Sequence, residues 1–294
     1  MKKTAKLLAL LMALVLCLSF AACGGKEEPE TTAAHDEVTE AVDATTVADE
    51  TTAADETTAT EETTAADAEE TTAADETTTE AAAKKPEGTA AIVEYFNTAV
   101  NNVKASAKSV QQKHVTNYLA KSPTIPGALN GIYKLIGGDE WLDKTLVKNG
   151  QGAATYTGAD IDAKFPVEGE SWASKLTAAD VKSATCTEAN GVYTITIVTK
   201  ADAKSDNVKH GQGHNPKAFN VVLPGVINEN IPDPATSLVG LSTVDYPYGK
   251  VVITVDAATG NVKTADYDVQ WTINFEKMNT IVPLGTKSSY VVTF

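Results

Sequence analysis

The sequence predicts an α+β domain, with N-terminal helices packed on a curved antiparallel β-sheet and a disordered stalk in front, and three observations carry that prediction. Apolar residues recur every three or four positions from Ile92 to Val110, the spacing of one helix face. Apolar and polar residues then alternate through Val251, Ile253 and Val255, and again from Ala265 to Phe275, the period of a strand with one face covered. Two further alternating runs flank Asn190 and Gly191, a pair suited to a tight hairpin turn. Helices first and antiparallel strands afterwards give the class.

The chain opens with Lys2, Lys3 and Lys6, an apolar run from Leu7 to Phe20, and small residues before Cys23. That order is the charged head, apolar middle and cleavage site of a secretory signal peptide, assigned here to residues 1–22. The stretch "FAAC", residues 20–23, resembles the lipobox of bacterial lipoproteins, with Phe20 standing where that pattern usually has leucine. The resemblance implies that Cys23 is lipidated and becomes the mature N-terminus, which ties the protein to the outer face of the cell membrane. Two acyl chains on one residue anchor stably where one is marginal.

Residues 23–87 form the stalk. A six-residue unit recurs there, "TTVADE", "TTAADE", "TTATEE", "TTAADA", "TTAADE" and "TTTEAA". With so few large apolar side chains it cannot bury enough surface to offset the entropy of ordering. A flexible coil of this length spans roughly 45 Å on average. The net charge of -15 belongs to this segment, because residues 24–87 carry 20 acidic and 3 basic side chains. Residues 88–294 carry 19 acidic and 18 basic groups, and the whole chain lacks arginine. A nearly neutral domain without arginine is a poor binder of nucleic acid, which is excluded as a partner.

Residues 88–294 read as a single domain. The helix from Ile92 to Val110 ends with His114 in its last turn. A second, shorter helix carries Leu129, Ile132, Tyr133 and Ile136 and stops at Gly137 and Gly138; a third follows through "DEWLDKTLVKN". Thr177 with Asp180 three residues later approximates a capping box at a helix start. The hairpin at Asn190 and Gly191 follows, then the pair of long strands turning at Thr259 and Gly260, and finally "SSYVVTF" as a closing strand.

The sequence offers little chemistry. "GGDEW", residues 137–141, resembles the signature of diguanylate cyclases, but a helical pattern precedes it and Trp141 replaces phenylalanine, so it reads as a glycine stop before an acidic first turn. His210 and His214 lie four apart, yet Gly211 and Gly213 oppose a helix there, and the stretch reads as a polar loop without metal. The acidic pairs Asp160 with Asp162 and Asp202 with Asp206 lack the glycine and terminal glutamate of a calcium loop and read as solvated turns. Tyr246 and Tyr248 flank Pro247 in what reads as a loop. Cys186, the lone cysteine of the domain, reads as a small strand residue. No nucleophile elbow, phosphate loop or cofactor motif is present, so a noncatalytic protein without cofactor is expected.

One feature points to a ligand. Tyr267, Val269, Trp271, Ile273 and Phe275 share one face of a long strand, more apolar surface than the narrow first helix can cover. Element order and patterning here resemble the LolA and LppX type of lipid-carrier lipoproteins, whose helices plug a bent sheet around an acyl-chain cavity. That resemblance implies an apolar ligand, lipid or other envelope component, held by those five residues. The alternative is an adhesion or envelope-structural module that binds protein or glycan through its loops.

Overall fold

The computed structural model describes residues 84–229 and 240–294. The predicted signal peptide, Cys23 and nearly all of the predicted stalk lie outside the described residues. The class is α+β, with an N-terminal helix and one open antiparallel sheet of eight strands.

Helix α1 (Thr89–Ser106) buries Ile92, Phe96, Val100 and Val103, the apolar row seen in the sequence. It ends one turn earlier than its period suggests. Val110 and His114 belong instead to strand β1 (Ser109–Leu119), which corrects the helical reading of both. The pairing of β1 with the last strand, β8 (Thr280–Thr293), prevails over the local pattern. Helices α2 (Gly127–Leu135) and α3 (Gly138–Lys148) follow. Gly137 takes the left-handed conformation between them, and Asp139 and Glu140 sit in the first turn of α3, as the sequence predicts. A short strand β2 (Ala154–Tyr156) pairs with β1 at the sheet edge, and helix α4 (Ala159–Lys164) comes after it.

Strands β3 (Val181–Ala189) and β4 (Val192–Thr199) form the expected hairpin, with Asn190 and Gly191 both at positive φ. Thr177 and Asp180 do form a capping box, but around a single 3-10 turn that leads into β3 rather than a helix. Cys186 is half-buried on β3. Strand β5 (Asp202–Ser205) and the small helix α5 (Pro224–Glu229) precede the two long strands β6 (Ser242–Asp256) and β7 (Val262–Phe275). The path across the sheet runs β2, β1, β8, β7, β6, β4, β3, with β5 beside β6.

Tyr246 and Tyr248 are not in a loop. They lie within β6, where the register with β7 shifts between Asp245 and Tyr248. Such an irregularity accommodates Pro247, which cannot donate to the ladder. Tyr246 is fully buried, and its hydroxyl donates to the Val222 carbonyl.

The two sheet faces differ as the alternation requires. Ala265, Tyr267, Val269, Trp271, Ile273 and Phe275 are all buried on the inner face. Helix α1 lies over that face against β3, β4 and β7. Over the centre lie two largely irregular stretches, residues 165–177 and 206–223. Phe165 from the first meets the Tyr267 and Tyr290 rings edge-on, and Phe219 from the second meets Tyr267. The outer face carries polar side chains, with Tyr118 donating to Asp268 and lying across Gly285.

Candidate functional site

Beneath the two covering stretches, at the middle of the inner face, is a cavity of about 40 Å³. Tyr267, Val269 and Trp271 supply its floor, together with Thr286, Ser288 and Tyr290 of β8 and Val115 and Asn117 of β1. Its roof is Pro166, Glu168, Phe219, Asn220, Val221 and Val222. Three of the five residues predicted from the sequence therefore meet here. The other two do not: Ile273 and Phe275 continue the same buried face toward the strand end, paired with Val282 and Thr280 of β8.

Three residues that line the cavity carry buried polar atoms without a partner. Among the described residues, the buried atoms without a hydrogen-bond partner include Glu168 Oε2, the Tyr267 hydroxyl and Trp271 Nε1, and all three residues line this one space. A buried polar group left unpaired costs about 1–3 kcal/mol, so native structures rarely gather three in one place without something to satisfy them. Burial raises the Glu168 carboxyl above its ordinary value, against the opposing pull of Lys164, the Asn220 side chain and Lys104. Burial likewise holds the Tyr267 phenol well above its usual range.

The roof is pinned from two directions. On α1, Asn97, Asn101 and Lys104 succeed one another at helical spacing and grip residues 162–176. Lys104 Nζ donates to the carbonyls of Asp162, Val167 and Glu170. Asn101 Oδ1 accepts from the backbone N–H groups of Ala173 (2.7 Å) and Ser174 (3.0 Å), and the Asn97 amide donates to the Leu176 carbonyl (2.7 Å). Burial lowers the Lys104 ammonium to about 8, although Asp162, Glu170 and Glu168 oppose it.

The second stretch is fastened by Asp202, which the sequence presents as solvated, and by Asp180 of the capping box. Asp202 accepts from the backbone N–H groups of His214 and Asn215, so it is a loop staple and not an open turn. Asn215, fully buried, donates to the Lys200 and Tyr246 carbonyls and accepts from Thr199. Asp180 receives Lys217 Nζ on both carboxylate oxygens (2.8 and 2.9 Å) and lies 2.9 Å from His214 Nδ1. Burial alone would raise the Asp180 carboxyl, but Lys217, His214 and Thr177 outweigh it and hold it at about 2. His210 stays in the predicted loop, its Nδ1 buried and unpartnered, and burial lowers its pKa. Among the described residues no three metal-ligating side chains come together. Asp160 and Asp162 occupy the first turn of α4.

A second hollow lies on the outer face, a trough of about 230 Å³ bordered by Lys250, Asp266, Asp268, Lys287 and His114. Every residue lining it belongs to a strand, so no described helix or loop lies over it. No helix among the described residues is long and apolar enough to cross a membrane.

The sequence hides half of the inner site. Glu168 sits in "FPVEGESW", which has no periodicity, and Asn97, Asn101 and Lys104 read as the solvent side of an amphipathic helix. Their spacing of four and three was the available signal, since it aligns them on one face. No family model, curated protein or solved structure matches this chain.

Proposed function

We propose that this protein is a noncatalytic binding domain, tethered to the outer face of a bacterial membrane by lipid on Cys23 and held away from it by the acidic stalk. Its ligand seat is the inner cavity, between the β7–β8 floor and the roof of residues 166–168 and 219–222. The observation that carries this reading is the convergence of Glu168, Tyr267 and Trp271 on one buried space with polar atoms unmet. Apolar walls from Val115, Val221, Val222 and Val269 suit a partly apolar ligand. With the roof closed, the cavity is far below the roughly 300–1,000 Å³ of a typical ligand pocket, so only part of a ligand enters, or the roof lifts to admit more.

The test is native mass spectrometry of the full-length protein purified from membranes, followed by organic extraction. An extractable mass that falls in occupancy with Trp271→Ala supports the reading. A bare polypeptide mass, unchanged after incubation with envelope extracts, removes it. Cys23→Ser should move the protein from the membrane fraction to the soluble fraction; retention in the membrane would remove the tether.

A second reading, adhesion to an envelope glycan or protein, is favoured by the uncovered outer trough with Lys250, Asp268 and Lys287 in one cross-strand row. In that case Lys250→Glu with Lys287→Glu abolishes binding to isolated cell envelopes, and Trp271→Ala leaves it intact.

A further inference from the structure

Strand β3 forms one edge of the sheet, and among the described residues β4 is its one strand neighbour. Its Lys182, Ser183, Thr185, Thr187 and Glu188 are exposed. A two-residue turn closes the hairpin between Ala189 and Val192, so Thr187, Thr185 and Ser183 turn their backbone groups toward β4. Ala184, Cys186 and Glu188 then turn theirs outward, where no described strand meets them. Such a row of open backbone groups is a template for another strand. We propose that this edge pairs with the same edge of a second copy of the chain, antiparallel, with a two-fold axis through Thr185.

The strand's own sequence selects both the partner and the register. In "KSATCTE", residues 182–188, like kinds of residue stand at equal distances on either side of Thr185, with the basic end answered by an acidic one. Lys182 therefore falls opposite Glu188 of the second copy, Ser183 opposite its Thr187, and Ala184 opposite its Cys186. The axis repeats each of these, giving two ion pairs and two hydroxyl pairs, the self-complementarity of an isologous contact. Opposite charges and facing hydroxyls across strands are favourable. The backbone agrees with the side chains: Ala184 and Cys186, both turned outward, become hydrogen-bonded partners, and Thr185 meets its own copy in the close, non-hydrogen-bonded kind of pair. Sliding the strands by two residues keeps outward groups matched but removes both ion pairs. A lysine on an edge by itself deters pairing. Here the second copy's Glu188 answers it.

The register with β4 shifts between Val181 and Ser183, so the regular ladder spans residues 183–187 with Lys182 and Glu188 at its ends. Within one chain these two side chains are six residues apart along the strand, roughly 20 Å, and cannot pair. A rescue by exchanging their charges must then come from contact between copies.

The test uses whole cells that make the full-length protein in a Cys186→Ser background, treated with diamide, a thiol oxidant that crosses membranes. Its outcome therefore depends neither on the tether nor on the inner cavity. Thr185→Cys should give a covalent dimer on non-reducing gels, because residues facing each other in such a pair stand about 4.5 Å apart at Cα, within disulfide reach. Thr187→Cys should stay monomeric, its two copies lying about 13 Å apart along the ladder. Adding Lys182→Glu to Thr185→Cys should weaken association about tenfold, since the axis counts each lost pair twice, and Lys182→Glu with Glu188→Lys should restore it. Thermal melting of the purified variants should match the parent, which keeps lost pairing apart from lost folding. Equal cross-linking of Thr185→Cys and Thr187→Cys, none from either, or a charge-exchanged chain that stays weak overturns the proposal. A cross-link to a different protein in place of the dimer overturns it as well and gives the edge to another strand.

Discussion

Replacing Tyr267 by phenylalanine asks whether the cavity is wet. The substitution removes one buried oxygen and leaves the ring, which keeps its edge contacts to Phe165, Phe219 and Tyr290 at centroid distances of 6.4, 5.8 and 6.2 Å. Packing is therefore conserved, and the stability change reports on the hydroxyl alone. If that hydroxyl is bridged by water in the free protein, its loss costs about 0.5–1.5 kcal/mol, the net worth of one hydrogen bond. For a domain of this size the midpoint of thermal unfolding then falls by about 1–6 °C. If the hydroxyl is truly unsatisfied, the variant escapes a penalty of about 1–3 kcal/mol and melts higher. Scanning calorimetry of the full-length protein, with urea denaturation as a check, reads the sign directly. A higher melting temperature for Tyr267→Phe would refute the wet, ligand-ready cavity and leave a dry packing defect in its place.

Lys104→Met should leave the apolar face of α1 on the sheet and release residues 162–170 from the helix, seen as faster hydrogen exchange in that stretch than in β6 or β7; unchanged exchange would show that the lysine does not hold the roof. The acid limb of stability should follow Asp180, whose folded pKa of about 2 lies below its ordinary 3.8. The stabilisation is full above the ordinary value and drains as pH falls through the folded one, so Asp180→Asn should be less stable than the parent at neutral pH and flatten the loss between about pH 4 and 2. Gly249→Ala places a Cβ on the Asn215 and Thr199 side-chain oxygens, both buried, and should cost about 3 kcal/mol or more, loosening residues 206–223. A near-neutral Gly249→Ala would mean that Asn215 is not locked there.

What the sequence reveals here depends on period. Strand β7 alternates without interruption, so its buried face was legible residue by residue, and Gly137 with Gly138 ended one helix and began the next as their freedom at positive φ allows. Strand β1 was hidden for two physical reasons. Its inner face carries Gln112 and Asn117 where apolar residues would normally mark a strand, and a register shift between Gln112 and His114 breaks the alternation. The helical spacing of Val103, Ala107 and Val110 then runs unopposed past the true helix end. Those same inward polar residues belong to the part of the sheet that borders the cavity, where Asn117 accepts from Thr286 and Gln112 bonds to Tyr156. The site was legible only through its aromatic floor. Its roof is irregular chain held by side-chain to backbone hydrogen bonds, which leave no periodic trace.

The position of α1 has a mechanical consequence. Helix α1 is joined to the sheet by side-chain packing and not by a strand ladder. Peeling α1 away needs no backbone bonds between strands to break, so it yields before the sheet does. Asn97, Asn101 and Lys104 leave with it, and the roof over Tyr267 and Trp271 loses its clasp. Loosening of α1 and loosening of the chain over Tyr267 and Trp271 are thereby the same motion.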